Sequence, residues 1–126
     1  MLAGAIAAGS AGCQRTIARQ GVHGVRADWE APTLTARLED PIRATDVAAA
    51  GEVALRRMGY AISERVASED RSIVVGLAPG GSRFDRIVIR AEPVVRDTRV
   101  EITTRIRPDE DRARIVFDEM LVLLGR

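Results

Sequence analysis

Few side chains in this sequence combine a reactive type with a placement that chemistry can use. The only cysteine, Cys13, stands directly behind the uncharged stretch Leu2 to Gly12, LAGAIAAGSAG. One cysteine can close no internal disulfide and build no multi-cysteine metal site. In the body of a domain it would be a small buried hydrophobe, but its place directly behind an apolar leader changes that reading. His23 is the only histidine and lies among glycines and mixed charges. A hydrolytic triad needs a base fixed beside a nucleophile, and nothing in the pattern fixes His23. The run Asp109, Glu110 and Asp111 sits where a helix begins, so its carboxylates diverge, whereas hard-cation ligands converge from a loop. It reads as dipole-complementing charge at a helix N-terminus. Pro79-Gly80-Gly81-Ser82 joins two strands, and the chain has no lysine, so it reads as a hairpin turn rather than a phosphate loop. No catalytic residue, metal site or cofactor is expected, and the chain is not read as an enzyme.

Arginine carries the remaining chemistry. All 19 basic residues are arginine against 18 acidic ones, a bias we attribute to a GC-rich genome rather than to selection for guanidinium. Arg65, Arg71, Arg83, Arg86, Arg90, Arg99 and Arg105 are expected to point outward from strands, interleaved with Glu64, Glu69, Asp85, Glu92 and Glu101. Arginine stripes bind carboxylate and phosphate groups, while opposite charges across antiparallel strands stabilise a sheet. The interaction surface expected from this pattern is Arg83, Arg86, Arg90, Arg99 and Arg105. The near-neutral balance supplies no general field for nucleic acid. Aromatic residues make up 3% of the chain, too few for base-stacking platforms.

These side chains need elements to hold them. The 126 residues, 46% hydrophobic, suit one domain with a core of Val, Ile, Leu, Ala and Met. Thr33 to Leu38 alternates as a half-buried strand. Asp40-Pro41 reads as the N-cap and first position of a helix, whose stripe is Val47, Ala50, Gly51, Ala54, Leu55 and Met58, ending at Gly59. Strands follow over Tyr60 to Ala67, around Ile73, Val75 and Leu77, and from Phe84 to Glu92 with Ile87, Ile89 and Ala91 inward. The last strand places Val100, Ile102, Thr104 and Ile106 inward. Pro108 opens a final helix striped by Ala113, Val116, Phe117, Met120, Leu121 and Leu124. The expected fold class is α+β, β-α-β-β-β-β-α: an antiparallel sheet of about five strands with two helices packed on one face. Residues 14–31, with Gly21 and Gly24 among alternating charges, read as a tether of at most about 60 Å, from which Trp29 can pack back onto the domain edge.

Ser10-Ala11-Gly12-Cys13 resembles the lipobox of bacterial lipoproteins. The leader, at about 11 apolar residues, is far short of the roughly 20 that span a bilayer and fits a signal-peptide core. A basic segment before it is expected from a start further upstream. The resemblance implies a diacylglycerol thioether on Cys13 with an acylated amino group, and several acyl chains anchor stably where one does not. Gln14, rather than Asp, follows the cysteine, which by the same resemblance implies the outer membrane facing the periplasm. The chain as a whole resembles a family of small, functionally uncharacterised bacterial lipoproteins. That likeness rests on the leader ending in Cys13, the segment Ala50 to Tyr60 (AGEVALRRMGY) opening into strands, and the closing helix Arg112 to Leu124. It brings no catalytic residues. The expected organisation is a leader over 1–12, a lipid-anchored tether over 13–31 and one domain over 32–126. The expected role is a membrane-tethered, non-enzymatic interaction or structural domain with an envelope protein partner. The alternative is a small periplasmic ligand- or lipid-binding module with a pocket between helices and sheet.

Overall fold

Period-two alternation runs through most of this chain, and it builds one large sheet. The computed structural model describes residues 15–80 and 84–126; Ser10, Cys13 and Arg83 lie outside them. In chain order the elements are β1 (Arg15–Gln20), β2 (Val25–Glu30), β3 (Thr33–Leu38), α1 (Ala44–Arg57), β4 (Ala61–Ala67) and β5 (Ser72–Leu77). They continue with β6 (Arg86–Val94), β7 (Asp97–Arg105) and α2 (Glu110–Leu124). All seven strands form one antiparallel sheet in the order β1-β2-β3-β7-β6-β5-β4. The first three strands meander, α1 carries the chain to the far edge, and the second meander returns until β7 docks beside β3. Helix α1 covers β4 to β6, α2 covers β7, β3 and β1, and the helices touch each other.

The α+β class and the two helices match the sequence expectation, but the strand count does not. Residues 15–30, expected as a tether, form the β1–β2 hairpin. Val25, Ala27 and Trp29 alternate with Arg26, Asp28 and Glu30, and Ala27 and Trp29 join the core. The hairpin is held from a distance. Arg114 of α2, its side chain 15% exposed, donates to the Gln20 side chain at 2.9 Å and to the carbonyls of Thr16 and Ala27 at 3.0 and 3.3 Å. Gln20 in turn donates to the Arg114 carbonyl and the Asp118 carboxylate at 2.9 and 2.7 Å.

One face of the sheet is apolar. Trp29, Leu34, Ile102, Ile89 and Val74 lie in one register row across five strands, all buried against the helices. Helix α1 approaches closely enough that side chains are excluded at two points. A Cβ on Gly76 of β5 would stand 2.9 Å from Leu55 Cδ1 and 3.2 Å from Tyr60 Cβ. One on Gly51 of α1 would stand 3.0 Å from Ile89 Cδ1.

Two local expectations are corrected. Helix α1 starts after Arg43, not at Asp40-Pro41, because Asp46 supplies the cap, accepting from the Arg43 N–H at 2.9 Å. The Ile42 carbonyl meanwhile accepts from Thr98 at 2.7 Å, tying that residue to β7. Ile106, expected inside, is 69% exposed. Strand β7 ends at Arg105, and the chain turns toward α2, where Asp109 donates to Thr104 Oγ1 and caps the Arg112 N–H. On β5 the helix side takes Ser72, Val74 and Gly76, so Ile73, Val75 and Leu77 face the other way. Gly59 and Gly125 follow the helices at positive φ, as expected.

Two outcomes test this packing. Gly76→Ala is expected to lower stability by about 1–3 kcal/mol, the usual cost of overpacking, read as a lower urea midpoint with unchanged slope. Arg114→Ala strands the partly buried Gln20 and is expected to cost about 2–3 kcal/mol. In hydrogen exchange, β1 amides lose protection while β5–β6 amides keep theirs.

Candidate functional site on the open sheet face

With both helices on one side, the other side of the sheet faces solvent. Its side chains come from alternate strand positions, and four of its arginines, Arg15, Arg26, Arg37 and Arg99, are neutralised locally, while Arg19 donates to the Gly24 carbonyl at 2.9 Å. Asp28 takes Arg15 at 2.5 Å and Arg26 at 3.0 Å. Hydrogen bonds from Arg26, then Arg15, hold the Asp28 carboxyl below its ordinary pKa, and Asp28 raises that of Arg15. Arg37 meets Asp97 at 3.5 Å. Arg99 pairs with Glu92 and, at 3.9 Å, with Glu101.

Arg86, Arg90 and Arg105 differ. Among the described residues none of the three has a carboxylate within 4.0 Å. Arg86 on β6 stands directly opposite Arg105 on β7, a like-charge pairing that destabilises a sheet. Arg90 stands opposite Glu101, but Glu101 is the carboxylate that Arg99 engages. The three arginines rim a hollow of about 260 Å³ whose floor includes Val75 and Val88, with Glu64 of β4 on its outer side. Guanidiniums gathered around a hollow can bind carboxylate or phosphate, often bidentately. Ser63 also lines the hollow, and its hydroxyl is turned to the Val75 carbonyl at 3.5 Å.

Of the expected interaction surface, Arg86, Arg90 and Arg105 are thus gathered around one hollow, none with a carboxylate within 4.0 Å among the described residues. Arg99 shares the face but is committed to its carboxylates, and its Nε is buried without a hydrogen bond. Arg83 and the lipidation candidate Cys13 lie outside the described residues. Other outward expectations are corrected. A bulge between Ile62 and Glu64 turns Arg65 toward the helices, where it meets Glu52 of α1 at 2.6 Å. Glu69 reaches Arg43 at 3.8 Å, beyond the sheet edge. Asp85 binds Arg112 of α2 at 2.9 Å. Burial works against the Arg112 charge, but hydrogen bonds to Asp85 and Tyr60 outweigh it and hold its pKa above the ordinary value.

Sequence reasoning missed Arg15, Arg26 and Asp28 as members of this face, because it read them as tether. The available signal was the alternation of Val25, Ala27 and Trp29 with charges. His23 is not in a loose segment either: it occupies the β1–β2 turn, and its N–H donates to the Arg126 carbonyl at 2.8 Å. Asp109 acts as the α2 N-cap. Among the described residues, no three His, Cys, Asp or Glu side chains are placed to hold a metal ion, and no helix is long and apolar enough to cross a membrane. No protein family and no curated protein matches this chain.

The ion pairs of the hairpin make its stability pH-dependent. Because Asp28 titrates lower folded than unfolded, its contribution is present above the ordinary carboxylate pKa, near 4. It is lost as pH falls through the folded value. The melting-temperature gap between the natural chain and Asp28→Asn is expected to be widest near neutral pH and to close as the solution is acidified below that range.

Proposed function

We propose that this chain is a lipid-anchored protein of the bacterial envelope whose domain is a non-enzymatic interaction module, using its open sheet face to hold an acidic partner. The observation that carries the binding half is the unpaired set Arg86, Arg90 and Arg105, with two of its members directly opposed across strands. Uncompensated like charges are retained at a cost, and a partner's anions remove that cost.

Against the ligand-pocket alternative stands the close packing beneath α1, where a Cβ on Gly51 or Gly76 would stand 3.0 or 2.9 Å from a side-chain carbon. The anchor half rests on the lipobox-like Ser10 to Cys13 and on the resemblance to small uncharacterised bacterial lipoproteins. With β1 beginning at Arg15, only Gln14 lies between the anchor cysteine and the sheet. The proposed anchor therefore holds the domain against its membrane without slack, in place of a long tether.

Two measurements test the halves separately. The full chain expressed in a bacterium is expected to enter the detergent phase and to take up labelled palmitate, and Cys13→Ser to do neither. A natural chain that stays aqueous and unlabelled overturns the anchor. A photo-cross-linker at Thr103, on the open face, is expected to give adducts that vanish when Arg86→Glu and Arg105→Glu are combined. The same probe at Ile115, exposed on α2, gives none. Equal adducts at both positions overturn the binding face.

A further inference from the structure

The arrangement of the hollow narrows what the partner presents, and this step rests on the open-face reading above. Arg86 and Arg105 mark one end of the hollow, and Arg90 lies four residues further along β6, about 13 Å at the rise of a strand. Val88 lies between them on the same side, with Val75 beside it on β5. The pattern on this strand is therefore cation, apolar, cation at period two. An extended segment laid along β6 matches it with anion, apolar, anion at the same period.

The surroundings select a short acidic segment over a continuous anionic surface. Glu64 lines the hollow on the β4 side, and Glu92, Glu101 and Asp28 are set among the arginines elsewhere on the face. A bilayer or a nucleic acid laid across the sheet would meet those carboxylates and be repelled. A single segment confined to the hollow meets three cations and Glu64, with Glu101 beside Arg90 shared with Arg99, and Glu64 can accept one of its backbone N–H groups. We infer that the hollow between Arg86, Arg105 and Arg90 binds an extended acidic segment of a partner protein. One carboxylate meets Arg86 and Arg105, a second four residues on meets Arg90, and an apolar side chain between them rests over Val88 and Val75.

The test uses the full-length Cys13→Ser protein and a labelled peptide of serine and threonine carrying two glutamates four residues apart with a leucine midway. Fluorescence anisotropy is expected to show saturable binding that weakens as salt rises. Arg90→Ala, and Arg86→Ala combined with Arg105→Ala, are each expected to weaken it at least about tenfold, the scale of one lost charge-assisted hydrogen bond. Arg37→Ala, on the same face but paired with Asp97, is expected to leave it within about twofold. Weaker binding of a peptide with glutamine for glutamate supports the inference, and equal binding overturns it. Indifference to all three arginines also overturns it. So does the absence of peptide binding alongside binding to phosphatidylglycerol vesicles or inorganic phosphate that needs those arginines. If Thr103 cross-links persist while the peptide fails to bind, the acidic segment is wrong and the open-face reading stands. If both are absent, both fall.

Discussion

The close contact of α1 with the sheet at Gly51 and Gly76 sets the terms for the rest of this molecule. Gly51 of α1 lies directly on the Ile89 side chain of β6, and Gly76 of β5 lies directly beneath Leu55 of α1 and Tyr60. The register row from Trp29 through Leu34, Ile102 and Ile89 to Val74 is sealed beneath the helical layer. Burying apolar area at roughly 25 cal/mol per Å² is the main favourable term in such a fold, and here it is gathered on one side of the sheet. That asymmetry leaves the other side wet, and alternation fills it with charge.

The same asymmetry explains why the N-terminal hairpin belongs to the domain. Trp29 and Ala27 extend the apolar row, and α2 is long enough to reach β1. Arg114 and Gln20 then satisfy each other and the nearby carbonyls. An edge strand offers unpaired backbone groups to solvent, and on β1 the Thr16 carbonyl is taken by Arg114. In the hairpin Asp28 pairs Arg15 and Arg26, and Arg19 is held by the Gly24 carbonyl. On β6 and β7, Arg86, Arg90 and Arg105 gather three cations around one hollow. A chain almost neutral overall thus carries a localised positive site, which net charge alone could not reveal. Such a site favours a local anionic feature and gives the protein no broad attraction for polyanions.

Much of the architecture was legible in the residues themselves. Both helices, the β3 strand from Thr33 to Leu38, and the inward positions Ile87, Ile89, Ala91, Val100, Ile102 and Thr104 follow from period 3.6 and period 2. Helix ends at Gly59 and Gly125 follow from cap chemistry. The hairpin was not legible as such, because Gly21 and Gly24 among alternating charges also describe a flexible connection. What orders it lies more than ninety residues away on α2. Ile106 fits the alternation of β7 perfectly well, but the start of α2 ends the strand before it.

Local pattern therefore determined the class of fold, the apolar stripes and the set of outward arginines, because side-chain direction repeats with secondary structure and needs no knowledge of neighbours. Tertiary structure decided which of those arginines carry unspent charge. Neutralisation depends on a carboxylate standing within a few ångströms on another strand or helix, and sequence separation says nothing about that distance. Arg65 meets Glu52 on α1, Arg99 meets Glu92 across a register pair, and Arg86 stands opposite Arg105. The residues looked alike along the chain, and only their partners across the sheet made them different.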